Sequence, residues 1–178
     1  MAAAEYEARC AMVNEGAVDS RLFRDVMGSF ASGVTVVTLN VDGAPRGMTA
    51  NAFLSLSLDP PLVIVCVQEA GSMHSLFEAA DAFGVNVLAA DQRSISDLFA
   101  KHGIPDEPMG GFEYRVGDLG VPLLGGVLGY AECRIVDRLA GGDHMIVIGE
   151  ARNVAFDRED VDPMLFYRGS YREIREQA

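Results

Sequence analysis

The chain has 178 residues, of which 49% are hydrophobic and 22% charged. That is the size of one domain, and it is long enough to bury about 70% of its unfolded surface without a disulfide or metal. Acidic residues number 26 against 14 basic, and the net charge of -12 excludes a general nucleic-acid or anionic-lipid binder, which needs a basic surface. All the basic residues but Lys101 are arginines. No apolar run approaches the ~18 residues of a membrane span. The opening MAAAEYEARC carries acids where a signal peptide needs basic residues and then an apolar core. Cys10, Cys66 and Cys133 are too scattered for a disulfide framework. A cytoplasmic protein is expected.

Residues 1–18, rich in Ala and Glu, read as a flexible tail before a domain over 19–178. Asp19-Ser20 offers an N-cap, and Leu22, Phe23, Val26, Met27 and Phe30 recur at helical spacing, predicting an amphipathic helix that stops near Gly33. Val34 to Leu39 is a β-branched strand. Asp42-Gly43 is a hairpin turn signal before a strand through Arg46-Gly47-Met48-Thr49. Phe53 to Leu58 alternates apolar and hydroxyl residues, which predicts Ser55 and Ser57 on one face. Asp59-Pro60-Pro61 ends that run. Leu62 to Val67 reads as a strand buried on both faces.

Ser72 is placed to cap a helix running to about Ala80, Phe83 to Leu88 is a strand, and Asp91 is placed to cap a helix to about Lys101. Residues 103–126, with many Gly and Pro and no period, read as a long loop of the kind that is functional or locally ordered. Val127 to Leu139 and Met145 to Phe156 are long strands joined at Ala140-Gly141-Gly142-Asp143-His144, and Met164 to Ile174 is an aromatic-rich strand. Strands in hairpins outnumber helices, so a mainly antiparallel barrel with peripheral helices, in one domain, is expected.

Familiar catalytic signatures are missing. The sequence holds no G-x-G-x-x-G after the first strand, no G-x-x-x-x-G-K-[ST], no H-E-x-x-H, no C-x-x-C and no G-x-S-x-G. His74, His102 and His144 are far apart, and no metal is expected. Cys66 lies in an apolar run, where a structural thiol is the ordinary reading. What remains is Gly47-Met48-Thr49-Ala50-Asn51 followed by Ser55 and Ser57, small donors on a sheet that suit a phosphate or a polar ring edge. By pattern alone the solvent face of an edge strand explains them better. By pattern alone, too, His144 is an exposed turn histidine, and Tyr167-Arg168-Gly169-Ser170-Tyr171 is an edge strand whose aromatics finish the core.

A resemblance changes those weights. The run Gly47 to Phe53 with Ser55-Leu56-Ser57-Leu58-Asp59-Pro60-Pro61, preceded by Phe30 to Thr38 and followed by Phe83-Gly84-Val85-Asn86-Val87-Leu88, Gly142-Asp143-His144 and Tyr167 to Tyr171, resembles the flavin reductase-like family. The motifs stand in order over most of the chain. The family comprises small NAD(P)H:flavin oxidoreductases that serve two-component flavin monooxygenases, on an FMN-binding split β-barrel, usually as homodimers. The resemblance implies that Met48, Thr49, Ala50, Asn51, Ser55, Leu56, Ser57, Cys66, Val67, Gln68, Ser72, Phe83, Asn86, Ser96, Phe99 and Ala100 hold the flavin, FAD or FMN. It implies that Ser32, Gly33, His144, Tyr167, Gly169 and Tyr171 approach NADH, with His144 and Tyr171 nearest the chemistry. Many relatives have serine where this chain has Ala52, so one hydroxyl contact is absent. The implied reaction is hydride transfer from the nicotinamide to the flavin, with reduced flavin released to a partner oxygenase. An oxidase of the pyridoxamine-phosphate oxidase type and a non-enzymatic flavin or haem carrier share the barrel and are the alternatives.

Overall fold

A computed structural model describes residues 18–101 and 108–174. The expected tail at 1–18, apart from Val18, and Cys10 and His102 fall outside the described residues. The chain order is α1 (Ser20–Met27), β1 (Ser32–Gly33), β2 (Thr35–Val41), β3 (Ala44–Ala50), β4 (Phe53–Leu58), β5 (Pro61–Gln68), α2 (His74–Ala79), β6 (Ala82–Val87), α3 (Arg93–Phe99), β7 (Tyr114–Val116), β8 (Pro122–Leu124), β9 (Gly129–Gly141), β10 (His144–Phe156), β11 (Leu165–Tyr167) and β12 (Ser170–Arg172).

Seven strands pair antiparallel in the order β3-β2-β6-β9-β10-β5-β4. Laid flat, strands ~4.8 Å apart would hold the two edge strands about 29 Å from each other. Yet β3 and β4 are joined by Asn51 and Ala52 alone, and the three Cα steps from Ala50 to Phe53 reach at most about 11 Å. The sheet must therefore roll until its edges meet, and the Cys66 N–H, donating to the Ala52 carbonyl at 3.0 Å, carries the β4–β5 ladder into that short connection. The result is the expected antiparallel split barrel. A three-stranded sheet, β1-β11-β12, and a β7-β8 hairpin sit beside it.

The roll buries β2 on both faces: Val37 and Leu39 enter the barrel core with Val65, Phe77, Phe83, Val85, Cys133 and Val147, while Val34, just before β2, and Val36 join an outer cluster with Leu88, Ile95, Phe99, Leu124 and Met164. In β5, by contrast, Val63, Val65 and Val67 are buried and the residues between them only half-buried, so the expectation of a doubly buried β5 fails. A β-bulge between Ser55 and Ser57 sets them opposite Val63 and Leu62, successive residues of β5 that face opposite ways, so the two serines do not share a face.

Local chemistry explains most element ends. The Asp19 carboxylate caps α1 by accepting from the Leu22 N–H at 2.6 Å. The helix stops at Met27, short of Gly33. Asp42 and Gly43, at φ 52° and 76°, make the β2–β3 turn. Neither other expected cap forms. Met73, not Ser72, stands at the N-cap of α2, and Gln92, not Asp91, at that of α3. The Asp91 carboxylate is held instead by Arg158 Nη1 and Nη2, which donate to it at 2.8 and 2.7 Å. The expected loop at 103–126 carries β7 and β8, tied to β9 by Glu132. This fully buried carboxylate accepts from the Leu119 N–H at 2.8 Å and the Asn153 amide at 2.9 Å. No helix of the described residues is long and apolar enough to cross a membrane.

Candidate functional site

At the seam, the last residues of β3 and of β5 open into a cleft of about 230 Å³. One wall is Gly47, Met48, Thr49 and Ala50, continued by Asn51 and Ala52; the facing wall is Cys66, Val67 and Gln68. Gly71, Ser72 and Met73 ahead of α2, and Phe99, Ala100 and Lys101 at the end of α3, close the two ends. Gly47 lets α3 lie close, because a Cβ there would meet the Phe99 ring at 2.9 Å. The Thr49 hydroxyl donates to the Ser96 carbonyl at 2.7 Å, fixing β3 to the same helix. The lining is apolar on its flat walls and polar at its edges, where Asn51, Gln68, Ser72 and Lys101 are exposed. That combination fits a flat heteroaromatic ring with polar rims.

His144 stands at the rim. It opens β10, opposite Gln68, after a turn completed by Gly142 at φ 75°. Its Nδ1 lies 2.7 Å from Asp143 Oδ1, which leaves Nε2 for a ligand. The hydrogen bond from His144, and then its charge, hold the Asp143 carboxyl below the usual carboxylate range, with a smaller pull from Arg24 of α1. Cys66, inside the cleft, has its thiol pushed up by burial.

The structure thus gathers Met48, Thr49, Ala50, Asn51, Cys66, Val67, Gln68, Ser72, Phe99, Ala100 and His144 around one cleft. The other implied residues are elsewhere. Ser55, Leu56 and Ser57 follow the seam outward on β4. Phe83 and Asn86 are fully buried. Phe83 packs on Phe77 with ring centroids 5.9 Å apart. The Asn86 amide donates to the Val36 carbonyl at 3.0 Å and accepts from the Leu124 N–H at 2.8 Å. Both are core residues, with no surface left for a ligand. Ser96 is likewise fully buried and reaches the cleft only through its carbonyl.

Ser32, Gly33, Tyr167, Gly169 and Tyr171 come together in the β1-β11-β12 sheet, apart from His144. The β11–β12 turn is tied to the end of α1 by the Arg168 N–H donating to the Gly28 carbonyl at 2.8 Å and by Arg168 Nε donating to the Ser29 hydroxyl at 3.1 Å. Tyr171 lines a second depression with Arg93 and Met164. Its hydroxyl faces α3, so it does not share a cavity with His144.

Sequence reasoning passed over Gly71, Met73 and Lys101 as cleft residues. For Lys101 a signal was present: it is the single lysine of the chain.

Residues 27–175 match the model of the Flavin reductase like domain. The chain is 38% identical over 162 residues to the FMN reductase (NADH) SmoA of Agrobacterium fabrum, covering 91% of this chain and 90% of that one. It is 38% identical over 158 residues to the reductase subunit HsaB of a flavin-dependent monooxygenase from Rhodococcus jostii, covering 89% and 80%. Among solved structures, it superposes on the Streptomyces globisporus NADH:FAD oxidoreductase SgcE6 in complex with NAD and FAD fragments with a TM-score of 0.83 and 38% identity, covering 91% of this chain and 98% of that one. A match over this length and in this fold shows that the chain belongs to the flavin reductase-like family.

Proposed function

We propose that the seam cleft seats the ring of a flavin, FAD or FMN, and that His144 at its rim receives the nicotinamide end of NADH. The protein is a flavin reductase of the kind that supplies reduced flavin to a monooxygenase. The observation that carries the assignment of the site is the convergence of Met48 to Asn51, Cys66 to Gln68, Phe99, Ala100 and His144 on one cleft.

The flavin supplies the redox chemistry by taking a hydride from the nicotinamide, so the protein has to bind, orient and keep water out. Met48, Ala50, Val67 and Phe99 offer the apolar walls. Asn51, Gln68 and Ser72 offer hydrogen bonds to the ring edge and the chain beyond it. Lys101 offers the positive charge nearest the cleft for the phosphate end. His144 Nε2 offers a hydrogen bond to the nicotinamide amide or a phosphate, while the bond to Asp143 fixes the imidazole's orientation. We assign Tyr167, Gly169, Ser32 and Gly33, gathered in the β1-β11-β12 sheet, to the rest of the dinucleotide, on the resemblance alone.

The cleft's volume of about 230 Å³ is below the ~300–1,000 Å³ usual for sites that enclose a ligand. A single chain holds part of its ligands, and we assign the remainder to a second copy. Leu54, Leu56 and Leu58 on β4 and Phe23, Val26 and Met27 on α1 are exposed apolar surface of the kind a homodimer covers. The partner oxygenase receives reduced flavin by diffusion. We place the enzyme in the cytoplasm, where Cys66 and Cys133 persist as the free thiols described here.

The test is consumption of NADH by the purified protein with FAD or FMN added. NADH loss that requires flavin supports the proposal; none with either flavin defeats it. His144→Ala is expected to raise the KM for NADH more than the KM for flavin, and an equal rise in both would contradict its place.

A further inference from the structure

Tyr171 is outside the cleft, yet its hydroxyl is bound into the helix that shapes it. The Tyr171 OH donates to Asp97 Oδ1 at 3.2 Å and lies 2.8 Å from Ser96 Oγ. With its proton given to Asp97, it accepts the proton of Ser96. The Arg93 guanidinium lies 5.0 Å from the centre of the same ring and its Nε 3.4 Å from Asp97 Oδ2. Three polar residues of α3 therefore address one tyrosine, whose ring is also held edge-on by Phe166 at 5.6 Å.

On its other contacts α3 meets β3. The Ser96 carbonyl accepts the Thr49 hydroxyl, and the Phe99 ring fills the space that Gly47 leaves open. Thr49 and Phe99 line the cleft. A helix of seven residues with no side-chain cap does not hold its own position. Its placement rests on Ile95 and Phe99 in the outer cluster and on the contacts at these two surfaces.

We infer that Tyr171 is a positioning residue for the flavin cleft: through Ser96 it fixes α3, and α3 fixes Thr49 and Phe99. This assigns the tyrosine hydroxyl to flavin binding rather than to contact with the nicotinamide. The inference rests on the reading that the cleft binds flavin. It also links the small β1-β11-β12 sheet to the barrel seam, so that a change on one side is felt on the other.

The experiment measures FAD binding by quenching of its fluorescence, with no nicotinamide nucleotide present, for wild type, Tyr171→Phe, Ser96→Ala and the double variant, together with thermal melting. Tyr171→Phe keeps the ring and its packing on Phe166, so the fold is retained even where Ser96→Ala weakens it. Losing a hydrogen bond to a buried partner predicts a flavin Kd raised by about three- to tenfold in Tyr171→Phe. The double variant is expected to bind no more weakly than the weaker single one, because both cut the same link. An unchanged flavin Kd in Tyr171→Phe with a raised KM for NADH would overturn the inference, as would fully additive effects. Wild-type protein that binds no flavin would instead overturn the assignment of the cleft on which the inference rests.

Discussion

Phe83 separates the role its motif implies from the role its surroundings give it. The resemblance places it against the flavin; the structure places it in the barrel core with no exposed surface, packed on Phe77 and pressed against Gly149, where a Cβ would meet the Phe83 ring at 2.5 Å. Phe83→Leu removes an aromatic pair worth about 0.5–1.5 kcal/mol and leaves a space beside Gly149 that the smaller side chain does not fill, for a total of about 1–3 kcal/mol. In a chain of this size each kcal/mol lowers Tm by about 2–4 °C, so a fall of roughly 2–12 °C is expected. The assay pairs thermal melting with flavin binding on the same protein. The variant should melt lower and, at a temperature where it is folded, bind flavin as wild type does. An unchanged Tm with weakened flavin binding would refute the core assignment and restore the contact implied by the motif.

Other outcomes follow from the same geometry. Burial pushes the Cys66 thiol up, so at neutral pH it holds less thiolate than an ordinary cysteine; its alkylation, read peptide by peptide by mass spectrometry, should be slow, accelerate only above the usual thiol range, and slow further when flavin is added. Cys133, pushed up to about 12 by burial and the neighbouring Glu132 charge, should stay unmodified. Lys101→Ala should raise the KM for flavin, and the ratio to wild type should shrink as salt is added. With a net charge of -12, the wild-type KM for NADH should fall as salt is raised from very low levels, and a KM that does not fall would count against long-range repulsion of the dinucleotide. Arg158 holds the Asp91 carboxyl below the usual range, so this exposed pair stabilises the fold above the unfolded carboxylate pKa and loses its contribution as pH falls through the lower folded value. Arg158→Ala should cost about 0.2–1 kcal/mol at neutral pH, and the difference from wild type should fade below about pH 4.

Where a short stretch of chain settles its own structure, the sequence was a sufficient guide. Asp19 caps α1, and Asp42-Gly43 takes the positive φ angles that a two-residue hairpin needs. Where a distant residue competes, it was not. The Asp91 carboxylate, placed to cap α3, is claimed by Arg158, 67 residues further on. β2 and β6 are buried on both faces and the more apolar β5 is not, because the rolling of the sheet, not composition, decides which strands are covered twice. The bulge in β4 has no signal in an alternating run, and it reverses the relation of Ser55 to Ser57.

The candidate site shows the same division. Motif residues mark the right segments: the ends of β3 and β5, the end of α3 and the start of β10 do meet. Which side chains reach the cleft is a matter of register. Asn86 and Phe83 alternate with neighbours on a strand buried on both faces, and Ser96 sits on the inner side of a helix whose next turn, at Phe99, lines the cleft. Nothing in the sequence singles out Glu132, whose buried carboxylate orders residues 117–119 across the barrel surface and leaves no room for a Cβ at Gly117.

The central claim is that flavin is a turnover substrate reduced in the seam cleft and then released. Anaerobic mixing of the protein with a large excess of FAD and of NADH, followed by the loss of oxidised-flavin absorbance, tests it most directly. Many equivalents of flavin should be reduced per chain. Reduction that halts at one equivalent per chain, or does not occur, would contradict it.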